Sequence, residues 1–578
     1  MVPGEPVIAI VTNQAPDWPA TGRMLLGDSA SQPPPDGAED RTSAFPVAVG
    51  KSAVRAAQFN SGMPQNFIEC DREQEMLLPP SLLDWVAPDH LVWTVLASVE
   101  EMDLSAFYGV YRPDGHGRPA YDPRVMVALL FYACAQGVRS SRGIERKCRE
   151  DVAFMVICAM RVPDHSMIAE FRRRHETALA GLFTDVLGLC EKAGLVRVGV
   201  IAIDGTKLSA NASMGANRSY ERIARELLEE VDETDRREDE VYGDARGDEL
   251  PEQLCTHEGR RAALRDAKRR LDAEREMAGD SGEVSGAGEP IVAFDLDRER
   301  SVSSEKGRRG WLREGRRQLD EQRRQQPRPI ARSRTERLNE SKRRLEEEHQ
   351  VELESNAAYE TYRATARDSR GRRLGHRPDP YTPSPVPAGT INTTDHDSRI
   401  VRTTGEPARQ GYNAQAAVNE HQIILAAEIT IDSPDFGHLE PMVDAVEREL
   451  AAVGVSESPE TVLADPGYWH KQQMENVVSR GMQVLIPPDS GLRIHPRPGW
   501  DKGLYAFMRL VLSTELGQAL YRRRMATVEP VFGQMKFNRG FDRFQRRGRS
   551  AVRSEWRLAA ATHNLLKLHN HQIAAAGP

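Results

Sequence analysis

The stretch Val198–Ala210, VGVIAIDGTKLSA, runs from apolar alternation into a bare carboxylate and then into small polar residues. Such alternation reads as a β-strand ending at the rim of a sheet. A carboxylate at an apolar strand end is costly unless positive charge compensates it, and a divalent cation held by clustered oxygens does so. A second run, ETVLADPGYW, ends its apolar segment the same way at Asp465. The pair asks for one sheet whose rim carries Asp204 and Asp465 together, with metal binding as the physical reason for placing them there.

The rest of the chain must supply that sheet. With 578 residues and a net charge of −8 it is long enough for several units with ample core. Its longest apolar stretch, Val125–Ala135, falls well short of the roughly 18 residues that span a bilayer. The VIAIV run near the start is too short for an export signal and follows Glu5 rather than a basic segment. A cytoplasmic protein with no membrane partner is expected. The cysteines, Cys70, Cys134, Cys148, Cys158, Cys190 and Cys255, include no C-x-x-C pair and read as buried thiols, with no structural zinc site.

Residues 1–60, rich in Pro, Ser, Gly and Asp, read as a disordered arm, and 61–190 as an all-α domain. Within it Asp122 and Pro123 open a helix, apolar all round, that Gly137 closes. The following segment reads as two short helices, a turn at Val162–Asp164 and a third helix over Ser166–His175, a helix-turn-helix-like bundle. Arg139, Arg142 and Arg146, spaced three and four apart, line one face if that segment is helical. A solvated basic face and a DNA contact are equal readings of them.

Residues 191–208 supply the first core strand, and 209–387 form a charge-rich helical insertion. The insertion is read as a helical hairpin (219–239 and 259–276), a flexible link at 279–290, a long helix over 333–364 and a proline-rich connector. Strand character returns over 388–572, in an antiparallel meander from GTINTTDHDSRIVRT through QIILAAEITIDS. A helix over His438–Val453, the Asp465 strand, another helix, the strand MQVLIPP and C-terminal helices follow, with a tail at 573–578.

With the insertion removed, this is the element order of a ribonuclease H-like α/β core, interrupted by a helical insertion and preceded by the all-α domain. A third acid is then due from a helix near the end, and Glu529 supplies it. Lys536 follows seven residues later, two α-helical turns on, hence on the same face. Between Lys536 and Arg557 lie eight basic residues, Arg539, Arg543, Arg546, Arg547, Arg549 and Arg553 among them, against Asp542 and Glu555, and Arg539, Arg543, Arg546 and Arg547 are expected to hold a DNA backbone. Tyr468, Trp469, Phe537 and Phe541 read as core packing.

The chain resembles the DDE transposases of bacterial insertion sequences, in particular the branch called IS-eleven-eighty-two, related to the IS-four and IS-five groups. The resemblance spans about residue 60 to 572 and rests on QEMLLPPSLLDWV, PDHSMIAEFRRRH, AIDGTK, GYNAQAAV, LADPGYW, VEPVFGQMKFNRGFDRF and EWRLAAATHNLLKL, in that order. It implies Asp204, Asp465 and Glu529 as catalytic, metal-binding acids. It also implies DNA contacts by Tyr521, Arg524 and Lys536. Arg524 lies five residues before Glu529, and Met525 takes the four-residue position of the IS-four pattern. Implied with them are two magnesium ions about 3.5–4 Å apart, with manganese as a substitute, that activate a water and stabilise the leaving oxygen. The partners are double-stranded DNA, as terminal inverted repeats and target, and a second copy in a synaptic homodimer. A metal-dependent nuclease without strand transfer and a non-catalytic DNA-binding scaffold are the alternatives.

Overall fold

The computed structural model describes residues 67–68, 71, 74, 81–112, 119–242, 261–262, 265, 269, 307–326, 331, 333–365, 379–403, 405–489 and 502–577. The arm over 1–60, the link at 279–290, most of the second hairpin arm, Cys70 and Cys255 lie outside the described residues.

Local signals set the N-terminal helices. Asp122 Oδ1 accepts from Arg124 N at 2.8 Å, Pro123 takes the first helical position, and Pro123–Ala135 runs almost wholly buried until Gly137 turns at φ +71°. Ser140, Asp151 and Asp164 cap the helices Ser141–Glu150, Val152–Ile157 and His165–Arg174 in the same way. Arg139 therefore precedes the cap and is not helical, so it does not share a helix face with Arg142 and Arg146. The helix Glu176–Lys192 leads into the sheet. Cys134, Cys148, Cys158 and Cys190 are free and buried.

Ten strands are described: β1 (Phe67–Ile68), β2 (Ala120–Tyr121), β3 (Val200–Ser209), β4 (Asn217–Ser219), β5 (Thr390–Asn392), β6 (Arg399–Val401), β7 (Arg409–Asn419), β8 (Ile424–Thr430), β9 (Thr461–Ala464) and β10 (Gln483–Leu485). Six form one mixed sheet in the order β10-β9-β3-β7-β6, with β8 also paired to β7. β3 runs antiparallel to β7 and parallel to β9, and β10 runs parallel to β9. The meander thus starts at β6. β5 belongs elsewhere, paired antiparallel with β4, because Asn217–Ser219 and Thr390–Asn392 zip together as a separate two-stranded ladder.

The C-terminal helix Arg549–Ala576 packs on Glu176–Lys192, on Pro123–Ala135 and on β8, and Leu439–Ala452 packs on β7 and β8. One continuous hydrophobic core joins the N-terminal helices, the sheet and the C-terminal helix, from Leu82 to Leu568. Buried pairs fasten the same layers: Arg557 donates to Ala180 O at 2.7 Å and to Glu449 Oε1 at 2.7 Å.

The chain divides into two units, 1–216 with 394–578, and 217–393. The second contains the β4–β5 ladder, the helices Tyr220–Tyr242, Arg308–Gln325 and Arg334–Thr365, and a small core of Ile223, Leu338, Leu345 and Ile391. The helix Arg308–Gln325 is not singled out by the sequence. It is held to Arg334–Thr365 by polar pairs such as Arg323 with Glu347 at 2.8 Å. Its apolar residues are too few to announce it.

Candidate active site

β3 and β9 place the first two acids. Their parallel register sets Ile203 beside Ala464, so Asp204 and Asp465 stand level at the carboxyl ends of neighbouring strands. Ile201, Ala202, Ile203 and Val462–Ala464 are fully buried beneath them. Asp465 accepts from Gly467 N at 2.9 Å and caps the short helical turn Pro466–Tyr468, which fixes its direction. Asp204 accepts from its neighbour's Gly205 N at 2.8 Å and from Arg524 Nη2 at 2.9 Å.

The third acid arrives on a broken helix. Glu515–Thr527 ends at Val528, and Glu529 opens a new five-residue helix with Pro530 behind it. Arg524 Nη1 lies 3.5 Å from Glu529 Oε1, so one guanidinium faces two of the three acids. Met525 is 55% exposed, whereas Arg524 is buried. The break after Val528 lets an arginine five residues before the glutamate turn inward. Tyr521 is half-buried, with Arg524, Asp465, Asp204 and Glu529 as its charged neighbours.

The electrostatics follow from burial. Burial pushes the Asp204 carboxyl up to about 6, against the pull of Arg524 and helped by Asp465 and Asp435. Asp465 is raised as well, by burial and then by Asp435. Asp204, Asp465 and Asp435 thus share one rim, and carboxylate oxygens are the hard donor type that suits a divalent cation. The oxygens of Asp204, Asp465 and Glu529 do not all lie within 4.8 Å of one another. Among the described residues the group that does is Glu145, Asp164 and His165. There Asp164 caps Ser166 N at 2.7 Å, and Glu145 accepts from His165 Nδ1 at 2.7 Å and pairs with Arg149 at 2.8 Å.

Asp435 is the residue that sequence reasoning misses. It sits in the loop after β8, and Lys207 Nζ donates to both its oxygens at 2.8 and 3.0 Å. Asn413 Nδ2 and Gln415 Nε2 donate to Oδ1 at 2.8 and 2.9 Å. Burial works to raise this carboxyl, but Lys207 and the two amides outweigh it and hold it below the usual range. Gly205 makes the approach possible, since a Cβ there would lie 2.4 Å from Asp435 Oδ1 and 2.3 Å from Gln415 Nε2. Gln415 is itself pinned: Tyr468 donates its hydroxyl to Oε1 and Trp556 Nε1 donates to the backbone oxygen at 3.0 Å. The signal in the sequence is Lys207 itself, a cation between the buried Thr206 and Leu208, which requires a partner.

The basic residues divide by burial. Lys536 lies in a π-helical turn, Gln534–Asn538, so α-helical spacing from Glu529 does not apply to it. It is half-buried, lowered by burial and then by Arg409, with Asp204 and Lys207 also in its field. Arg539 stands beside His563 Nδ1 at 3.4 Å. Arg546 pairs with Glu176 at 2.5 Å, and Arg139 packs over the Phe541 ring at 4.4 Å, facing Glu555 at 3.7 Å. Arg547 donates to Asn211 O at 2.9 Å from an exposed position. Arg142, Arg146 and Arg543 are exposed. Tyr468, Trp469 and Phe541 are core residues as expected, but Phe537 is not.

Residues 80–174 match a family described as Transposase domain (DUF772), and residues 492–569 match one described as Transposase DDE domain. The second match contains Tyr521, Arg524, Glu529 and Lys536, and a DDE domain implies a ribonuclease H-like fold, which agrees with the mixed α/β sheet. No curated protein and no solved structure matches the chain. The class is therefore that of enzymes that cut and move DNA with divalent metal. These two matches support a DDE transposase of an insertion sequence. Among the described residues no helix is long and apolar enough to cross a membrane.

Proposed function

We propose that the protein binds the terminal inverted repeats of its own insertion sequence, cleaves there, and joins the freed 3′-hydroxyl to target DNA. Asp204, Asp465 and Glu529 act as the catalytic acids. The observation that carries this is the level placement of Asp204 and Asp465 on adjacent strand ends, with Glu529 tied to the same arginine.

In cleavage a water oxygen attacks the phosphorus and the 3′-oxygen leaves. In joining, that 3′-hydroxyl gives up its proton and attacks the phosphorus of a target phosphodiester, and the target strand's own 3′-oxygen leaves, taking up a proton. Two magnesium ions, or manganese in their place, held by the three acids would supply Lewis-acid activation of the attacking and leaving oxygens. The protein's own groups do the rest. The buried strands fix the Asp204 and Asp465 carboxylates, Arg524 orients Asp204 and Glu529, and Tyr521 and Lys536 meet the DNA backbone beside them. Arg543, Arg547 and the exposed Arg142 and Arg146 extend a phosphate-binding surface, while Arg139, Arg539 and Arg546 act mainly by packing.

The helices over 61–190 read the repeats, 217–393 is an insertion in the catalytic core, and two copies hold two ends in one synaptic complex. The IS-eleven-eighty-two branch and a cytoplasmic site of action belong to the same reading. The test supplies purified protein and magnesium with a pre-cut terminal repeat carrying a 3′-hydroxyl and with a target plasmid. A covalently joined product is expected. Efficient cleavage with no joined product would make the protein a nuclease on the same fold.

A further inference from the structure

Each of the first two acids is followed by a glycine that aims it. Gly205 N donates to Asp204 Oδ1 at 2.8 Å, and Gly467 N donates to Asp465 Oδ1 at 2.9 Å. Both glycines also have Asp435 standing where a side chain would be. A Cβ on Gly205 would lie 2.4 Å from Asp435 Oδ1, and one on Gly467 would lie 3.4 Å from its Oδ2 and 3.5 Å from its Cβ. One carboxylate side chain therefore rests against both of the turns that direct the acids.

Strand pairing does not hold these turns to each other. The register of β3 with β9 runs from Val200 beside Thr461 to Ile203 beside Ala464, one residue short of the acids, after which β3 continues along β7 to Ser209. Beyond that last pair the spacing of the two carboxylates is left to side chains. Asp435 reaches every element concerned. It accepts from Lys207 Nζ on β3 and from Asn413 Nδ2 and Gln415 Nε2 on β7, and Gln415 Oε1 in turn accepts from the hydroxyl of Tyr468, the buried residue next to Gly467. The same bonds distinguish Asp435 from a further metal ligand. Lys207, Asn413 and Gln415 converge on Oδ1 and leave no lone pair of that oxygen open, while the Lys207 ammonium covers Oδ2. What this side chain offers is a fixed shape at a fixed place.

We infer that Asp435 is a positioning residue, keyed between Gly205 and Gly467, that sets the spacing of Asp204 and Asp465 and so how tightly the two carboxylates hold a divalent cation. Groups behind metal-binding carboxylates typically change metal affinity or activity about 10- to 100-fold when removed. This rests on the reading of Asp204 and Asp465 as metal-binding acids, and Asp435 acts through them rather than on DNA.

The experiment uses the full chain bound to a pre-cut duplex copied from the DNA flanking its own coding sequence, with no target present, and counts free Mn²⁺ by electron paramagnetic resonance. Magnesium-dependent cleavage of the uncut duplex is followed in parallel. Lys207→Met with Asp435→Leu removes the keyed shape and its hydrogen bonds without leaving a lone buried charge. It should bind Mn²⁺ about 10- to 100-fold more weakly and need correspondingly more magnesium for half-maximal cleavage, with KM for DNA unchanged. Lys207→Met with Asp435→Asn keeps the outline and an acceptor for Asn413 and Gln415, and should restore most of both. Tyr468→Phe, which takes one hydroxyl from the network and leaves the ion pair in place, should shift both in the same direction by less. Parent-like Mn²⁺ binding in whichever of the Asp435→Leu and Tyr468→Phe proteins is folded, as judged by urea unfolding, would overturn the inference. Equal losses with Asp435→Asn and Asp435→Leu, or a change confined to KM, would also overturn it by assigning the effect to the Lys207 charge. An intact protein that neither cleaves the flanking duplexes nor loses Mn²⁺ binding on Asp465→Ala would instead overturn the reading of the acids beneath it.

Discussion

Arg524 donates from Nη2 to Asp204 Oδ2 at 2.9 Å and keeps its other terminal nitrogen 3.5 Å from Glu529. A planar fork can face two carboxylates at once, which a lysine ammonium cannot do in the same geometry. Removing it leaves Asp204 buried without its cation. Arg524→Ala should lower DNA cleavage about 100- to 1000-fold, the loss typical of one preorganised charge at a reacting centre. Arg524→Lys should recover only part of it. DNA binding, measured by gel shift, should change by a few-fold at most. Full cleavage by Arg524→Ala would reduce this residue to packing.

The acids themselves should behave differently from their arginine. Asp204→Ala, Asp465→Ala and Glu529→Ala should each lose at least about 1000-fold in cleavage with magnesium present while still binding DNA. The decisive variant is Asp465→Ala, because its carboxylate accepts from Gly467 N and touches no arginine at hydrogen-bond distance. Cleavage persisting there would remove Asp465 from the site.

How much of this could be read in the sequence depends on whether a residue's reason is local. Asp204 and Asp465 announce themselves because an apolar strand ending in a carboxylate is a local conflict, and the parallel register then sets them level. Asp122, Pro123 and Gly137 mark their helix for the same kind of reason. Asp435 carries no such mark: it is one acid in a polar loop, made important by Lys207, Asn413 and Gln415, which are distant in sequence. The basic stretch misleads in the opposite direction. Its even charge suggests one DNA-binding surface, yet Arg553 and Arg557 are held by Glu428 and Glu449 within the fold. The π turn at Lys536 is invisible to any count based on 3.6 residues per turn.

The Lys207–Asp435 pair gives a stability prediction. Both side chains are largely buried, so removing either partner strands the other. Asp435→Ala or Lys207→Met alone should cost roughly 3 kcal/mol or more in urea unfolding, whereas the double replacement Lys207→Met with Asp435→Leu should recover much of the loss. Single variants within about 1 kcal/mol of the parent would show that the pair is not a structural support.

His563 should make the fold acid-sensitive. Burial pushes its imidazole down to about 3, reinforced by Arg539 and only slightly opposed by the Gln422 carbonyl. With Nε2–H donating to Gln422 O at 2.9 Å, Nδ1 is left to accept from Arg539, an arrangement that requires the neutral ring. A depressed folded value gives stability that is full above the unfolded value of about 6.5 and is lost as pH falls through that range toward 3. By pH 5 the loss from this group should reach about 2 kcal/mol. His563→Gln should be less stable at pH 8 yet lose less between pH 7 and 5, as measured by denaturant midpoints. A parallel decline in both proteins would place the sensitive group elsewhere.

The unit 217–393 should be removable. Its own core of Ile223, Leu338, Leu345 and Ile391 is separate from the main core, and Asn217 pairs directly with Asn392 across the β4–β5 ladder. The two chain ends that enter it are therefore held side by side, and a short loop can replace the long one at little entropic cost. We expect a chain with residues 220–389 replaced by a tight Asn-Gly turn to stay soluble, to unfold cooperatively, and to keep its melting temperature within a few degrees. Circular dichroism and thermal melts measure this. A molten or aggregated product would mean that the catalytic unit depends on the insertion for its own fold, and the two cores would have to be counted as one folding unit.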